Sequence, residues 1–254
     1  MRVHKLYVVH SSHPCETVKK ALELKGIPYK TVELMIPTQA PLQKLRFGKG
    51  TVPGLKLDGG EKVINSRAIL RRLDELVPDP PLLPAEPEAR AAVLEAERWG
   101  EEVLQSLARR LVWVSLGRCP AAIPTFQQAS KLPQLPRPAV RLLAPAVIAI
   151  ERRLNAASDE STRADLQALP AHLDRVDDWI LDGVLAGAQE PNAADLQIAS
   201  SVRLLSTIAD VRPLLEARPG DALAKALFPG FPGEIPAGAL PAEWVPQPQP
   251  RPTP

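Results

Sequence analysis

Ser12-His13-Pro14-Cys15 follows the apolar run Leu6-Tyr7-Val8-Val9 and precedes the helical spacing of Val18, Ala21 and Leu22. Strand, tight turn and helix N-terminus in that order form the layout of a thiol-handling site, because a helix N-terminus favours an anion such as a thiolate. Redox-active turns of this layout read Cys-x-x-Cys. Here the first position holds Ser12 and the second keeps Cys15. A hydroxyl forms no mixed disulfide, yet it can donate a hydrogen bond to a thiolate. The turn therefore reads as one that activates a thiol carried by another molecule.

Outward from this turn the first segment reads as strand, helix, strand. Leu6–Val9 is a short buried strand, and Pro14 suits a first helical turn, where a missing N–H costs nothing. Gly26 ends that helix and Pro28 prevents its continuation. Tyr29–Leu34 is a second strand, and residues 36–51, with Lys44, Arg46 and Lys49, read as a loop. In Thr51-Val52-Pro53-Gly54 the residue before proline is pushed to extended backbone. Leu55–Leu57 and Lys62–Ile64 form a hairpin about Asp58-Gly59-Gly60. Asn65 or Ser66 caps a helix that buries Ile69, Leu70, Leu73 and Leu76. The order β-α-β then β-β-α predicts a small mixed sheet over residues 1–77, an α+β domain.

Pro78, Pro80, Pro81, Pro84 and Pro87 make 78–86 a semi-rigid linker. The pattern beyond is all-helical over 87–231. Helices are predicted at 87–117, 137–156, 162–182 and 192–208, with shorter pieces at 213–227. Pro170 is expected to kink the third of these, and 120–138 is an irregular connection. From 232 to 254 the chain is a proline-rich tail with Trp244 as its one notable apolar anchor and an extended or disordered end. Among 254 residues, 31 Lys and Arg nearly balance 29 Asp and Glu, so the charge gives no reason to expect nucleic acid or an anionic membrane as partner. No apolar run is long enough for a membrane span, and the N-terminus lacks a signal-peptide core. Two cysteines, Cys15 and Cys119, are too few for a disulfide scaffold, which makes a reducing cytoplasm the default location. His10 and His13 lack suitably spaced acidic or cysteine neighbours, so no metal site is expected.

Four motifs in order resemble the cytosolic glutathione transferases: the Ser12-His13-Pro14-Cys15 turn, Thr51-Val52-Pro53, Asn65-Ser66-Arg67-Ala68-Ile69, and Pro191-Asn192-Ala193-Ala194-Asp195. The second resembles the family's Val-Pro step with a cis proline. The third resembles its Glu/Asp-Ser-x-Ala-Ile helix start, with Asn65 where an acid is usual, so that the ligand's amino group is held less tightly. The fourth resembles its Ser/Thr-x-Ala-Asp capping box. The resemblance implies a thioredoxin-like N-terminal domain, a helical-bundle C-terminal domain, a homodimer, and the transfer of glutathione's thiol to a small hydrophobic electrophile.

Under that resemblance the residues take roles. Glutathione's thiol has a pKa near ~8.5, and bringing it to about 6.5 requires roughly 2.7 kcal/mol of preference for the thiolate. One charge-assisted hydrogen bond supplies about 1.5–3 kcal/mol, so Ser12 is the candidate catalytic donor. Helix capping is its alternative role, and Ser11 is the neighbouring candidate. Cys15 reads as a small buried core residue, although a helix N-terminus could lower its pKa. Val52 would pair through its backbone with the ligand's peptide, Pro53 would leave that edge available, and Asn65 and Ser66 would hold the γ-glutamyl end. His13 could contact the ligand. Lys49 or Lys44 could meet the glycyl carboxylate, with solvated surface as the alternative. Arg109 and Trp113, four apart on one helix, could wall the electrophile pocket. Asn192 and Asp195 read as a structural reciprocal cap of about 1 kcal/mol.

Overall fold

The computed structural model describes residues 3–134 and 136–248. Strand β1 (His4–Val8) leads to helix α1 (His13–Leu24) and strand β2 (Tyr29–Glu33), followed by helix α2 (Gln39–Phe47). Strands β3 (Gly54–Lys56) and β4 (Lys62–Ile64) precede helix α3 (Ser66–Leu76). The sheet order is β2-β1-β3-β4. β1 is parallel to β2 and antiparallel to β3, with Leu6 opposite both Thr31 and Leu55. Period-2 alternation splits β1. Leu6 and Val8 join Leu55, Val18, Leu22, Ile69 and Leu70 in the buried core, while the Tyr7 ring meets the edge of Phe47 on α2 at 5.4 Å. The N-terminal unit is thus a thioredoxin-like mixed sheet, and the remainder is mostly helical.

Residues 36–51 are not a loop throughout, because α2 occupies nine of them. Pro41 lies in its first turn, where no intrahelical N–H is required, and Gly48 closes it at φ 79°. The helix packs so closely that a Cβ on Gly54 would stand 2.8 Å from the Gln43 amide and 2.9 Å from the Phe47 ring. Leu76, expected in the core, is exposed at the last position of α3.

The helix expected over 87–117 comprises α4 (Pro87–Trp99), a π-helical turn (Gly100–Leu104) and α5 (Gln105–Arg118). A 3-10 helix (Pro120–Gln127) occupies part of the expected irregular connection. Then follow α6 (Arg137–Leu154), α7 (Asp159–Leu181), α8 (Ala193–Leu205), α9 (Arg212–Leu215) and α10 (Pro219–Leu227). α7 continues through Pro170 as one helix. α8 is buried on almost every side and fastens the two halves together. The Thr17 hydroxyl on α1 lies 3.1 Å from the Leu196 carbonyl and 2.9 Å from Ser200 Oγ, and the Ala193 N–H donates to the Leu82 carbonyl at 2.8 Å. No helix among the described residues is long and apolar enough to cross a membrane.

The segment after Pro232 is better anchored than its composition suggests. Ile235, Ala239, Leu240 and Trp244 are all buried. Ile235 bridges to Ile208, and the Asp210 carboxylate accepts from the N–H groups of Gly238 and Leu240. Trp244 lies beneath Arg118 and Arg163, whose guanidinium carbons stand 4.7 and 5.0 Å from its ring centroid. Small apolar residues spaced between prolines carry these contacts, which is why the high proline content conceals them. The expected extended or disordered end falls partly on residues 249–254, outside the described residues.

Candidate active site

Ser12 stands at the N-cap position of α1 with extended backbone. Its carbonyl accepts from the N–H groups of Cys15 and Glu16 at 2.8 and 3.1 Å, while its hydroxyl makes no capping bond. The capping role open to Ser12 is therefore performed by its backbone, and its half-buried side chain remains at the positive end of a twelve-residue helix. Ser11 is differently disposed. At φ 60° it is in the left-handed region, and its hydroxyl donates to the His10 carbonyl at 2.5 Å.

Cys15 is fully buried. Burial pushes its thiol up to about 12, against the smaller opposing pull of a hydrogen bond with the Ser12 side chain. Lowering by the helix N-terminus does not prevail, because the cost of burying a thiolate is the larger effect. At pH 8 only roughly one thiol in 10⁴ would be ionised. Iodoacetamide should therefore alkylate half-buried Cys119 in the native protein and reach Cys15 only after denaturation. Peptide mass mapping reads this directly, and native labelling of Cys15 would contradict its burial.

His13 faces the other way, into the junction with α5, and is 2% exposed. Its pKa is held well below 6.5, first by burial and then by the Arg109 cation, against a hydrogen bond to the Gln105 backbone. The ring is neutral, and its buried Nε2 has no partner. Arg109 is also undercompensated: its Nε is buried without a partner, and burial lowers its pKa against the pull of Glu101 and Glu151. Trp113, one turn further along α5, is half-buried against the core. The structure thus brings His13 against Gln105 and Arg109 of α5, with Ser12 immediately before it in the chain.

The second cluster lies at the β3–α3 end. The Val52–Pro53 peptide is cis. Val52 precedes β3 and makes no backbone hydrogen bond among the described residues, whereas the Pro53 carbonyl accepts from the Asn65 N–H at 3.2 Å. The Ser66 hydroxyl points into the interface and donates to Gln197 Oε1 at 3.1 Å, and Gln197 in turn donates to Gln105 Oε1 at 2.7 Å. An anion at this helix start would be met chiefly by first-turn N–H groups. Lys44 and Lys49 are exposed, and no contact aims either at the cluster.

Sequence reasoning missed the charged network beside this helix. Arg71 and Arg67 on α3 pair with Glu97, which is buried on α4, and Arg67 also reaches Glu101 in the π-helical turn at 3.2 Å. Burial pushes the Glu97 carboxyl up, with Arg71 opposing. The signal was present as two i, i+4 pairs of opposite charge on consecutive helices, Arg67/Arg71 and Glu97/Glu101.

Residues 6–81 match the sequence model of the glutathione S-transferase N-terminal domain. The first unit of the chain is thus similar to the N-terminal domain of the glutathione S-transferases. Its likeness to curated relatives covers about a third of the chain. It is 35% identical over 92 residues to a maleylacetoacetate isomerase of Pseudomonas aeruginosa, spanning 34% of this chain and 43% of that protein. It is 34% identical over 96 residues to glutathione S-transferase Z2 of Arabidopsis thaliana, spanning 36% and 42% respectively. The matches thus span less than half the length of these relatives. Across the whole fold, the chain is similar to a solved glutathione S-transferase-I bound with lactoylglutathione. The TM-score is 0.58 at 19% identity, covering 90% of this chain and 93% of that one. That likeness extends the glutathione S-transferase fold through the helical region.

Proposed function

We propose that this chain is a glutathione transferase in which the Ser12 hydroxyl stabilises the bound thiolate for attack on a small hydrophobic electrophile. The observation that carries the reading is the disposition of the turn: Ser12 keeps a side chain uncommitted to helix capping, while Cys15 is sealed in the core with its thiol at about 12. The unpaired backbone of Val52 supports peptide pairing, and the start of α3 supports a carboxylate. Arg109 and Trp113 supply a partly polar wall for the electrophile. Catalysis is positioning plus electrostatic stabilisation, with no covalent enzyme intermediate. The enzyme acts in the cytoplasm as a homodimer, as its resemblance implies.

A second reading uses the same site and draws on the likeness to the maleylacetoacetate isomerase. There the thiolate would add to an activated double bond, the resulting single bond would rotate, and elimination would return the thiolate unchanged. Disulfide reduction through Cys15 is disfavoured by its buried, un-ionised sulfur. Calorimetry with reduced glutathione, followed by product mass analysis, separates the readings. A thioether from an activated aryl halide supports the transferase. Isomerised maleylacetoacetate without net glutathione consumption supports the isomerase. A folded protein that binds no glutathione would leave only a scaffold on the same fold.

A further inference from the structure

We infer that Glu33, buried at the end of β2, is a positioning residue for the proposed reaction: it ties the turn that carries Ser12 to the segment 128–132 of the helical half and so fixes the direction of the Ser12 hydroxyl. The inference rests on the Ser12 reading above and deepens it.

The turn between β1 and α1 holds itself only in part. The Ser12 N–H donates to the Val9 carbonyl at 3.2 Å, but Ser11 stands at φ 60°, a left-handed conformation unfavourable to serine. Such a conformation persists where the surroundings over-determine it. Here the restraint is long-range and runs through His10. Its Nε2 lies 2.7 Å from the Gln128 carbonyl, and since a carbonyl only accepts, the ring carries a proton on Nε2. On the other side of the ring, Nδ1 stands 3.7 Å from Glu33 Oε1.

Glu33 completes the tether. Its Oε2 accepts from the Ser130 hydroxyl at 2.7 Å and from the Lys131 N–H at 2.8 Å. Lys131 Nζ adds a bond to the Thr31 hydroxyl at 3.0 Å, on the same strand as Glu33. In the sheet Glu33 lies opposite Val8, two residues before His10. One carboxylate thus stands between the strand ends, the turn and the helical half, with its side chain 6% exposed. Burial alone would raise its pKa, but the Ser130 and Lys131 donors outweigh that and hold the carboxyl below its usual range. It therefore accepts as an anion at neutral pH. Far from this junction, the segment is rooted by Thr125, whose hydroxyl donates to the Glu234 carbonyl at 3.1 Å. The consequence for the chemistry is geometric. A hydrogen bond weakens steeply when its donor angle falls below about 120°, so the Ser12 hydroxyl must be aimed as well as present.

The test titrates the thiolate absorbance of bound glutathione against pH in the full-length protein, in Glu33→Ala, in His10→Ala and in the double variant. Each single variant should raise the bound thiol's midpoint by about one unit, a tenfold loss of thiolate preference. At pH 6.5 kcat should fall about fivefold, with KM for glutathione within about twofold, since the peptide contacts proposed above lie at the β3–α3 end. The double variant should lose no more than the worse single one, because both substitutions break one tether. An unchanged midpoint in folded Glu33→Ala, even with lowered thermal stability, would mark the carboxylate as merely structural and overturn the inference while leaving Ser12 as donor. His10→Ala reaches the same tether from the turn, so an unchanged midpoint there would overturn it even if Glu33→Ala did not fold. Additive losses in the double variant would also overturn the shared tether. An unaltered protein that does not lower the bound thiol's midpoint would overturn the Ser12 reading together with this one.

Discussion

Replacing Ser12 with alanine is expected to remove most activity near neutral pH while leaving the fold intact. The hydroxyl is not used to cap α1, so its loss breaks no helix-initiating bond; the Ser12 carbonyl retains both of its backbone donors. What is lost is the donor to the bound thiolate. If that donor lowers the thiol from about 8.5 to about 6.5, the ionised fraction at pH 6.5 falls from about one half to about one hundredth, a roughly fiftyfold loss in kcat/KM. The sign of the pH dependence follows. The deficit is largest below pH 7 and shrinks as the medium itself ionises the thiol above about pH 8.5. A pH–rate profile of Ser12→Ala, with Cys15→Ala beside it, measures this. Cys15→Ala should keep the wild-type profile, since its sulfur lies in the core. A uniform loss at every pH in Ser12→Ala would point to displaced ligand rather than a lost hydrogen bond.

Asp195→Ala is expected to give the largest loss of stability. The cap at the head of α8 does more than its four-residue spacing announces. The Asp195 carboxylate is fully buried and accepts from the N–H groups of Ala186, Gly187 and Asn192 at 2.9, 3.0 and 2.9 Å. Asn192 returns the bond by accepting from Asp195 N–H at 3.1 Å, and it ties its own amide to the Val184 carbonyl. Alanine would strand the buried Asn192 N–H, at about 1–3 kcal/mol, and remove the acceptor of the part-buried Ala186 and Gly187 N–H groups, which water can partly replace, for a total of roughly 2–4 kcal/mol. That is a large part of a typical net stability of about 5–15 kcal/mol. Because α8 carries Gln197, Thr17's partner Ser200 and the Leu82 contact, its loosening would release the first domain from the second. Urea denaturation should show the midpoint falling sharply, with Asp195→Asn in between because it keeps one acceptor oxygen. A loss under about 1 kcal/mol would mean that the cap acts only locally, as an ordinary N-cap does.

The residues explain which parts of this structure were legible in the sequence. The Ser12 turn, the 58–60 hairpin and the Asn192–Asp195 cap are local, and each carries its own steric or hydrogen-bond signature within a few residues. α2 was missed although Pro41 and Gly48 are suitable first-turn and closing residues, because Pro37, Gly48 and Gly50 give the whole stretch the composition of a loop. The resemblance led to Ser12, Val52 and Asn65, but local sequence could not show that Ser66 turns to Gln197, 131 positions away. Likewise, the burial of His13 against Gln105 depends on how the helical half docks. The i, i+4 spacing of Glu97 and Glu101 was on view but reads equally as a solvated helix face, and the meeting of Glu101 with Asn65 joins two elements 36 positions apart.

The central claim is that this protein lowers the pKa of a bound thiol through Ser12. It is tested most directly by titrating glutathione thiolate absorbance against pH in the presence of saturating protein. A bound thiol ionising near 6.5, and returning toward about 8.5 in Ser12→Ala, is the expected result. A bound thiol that titrates as it does free in water, or a shift that survives Ser12→Ala unchanged, would contradict it.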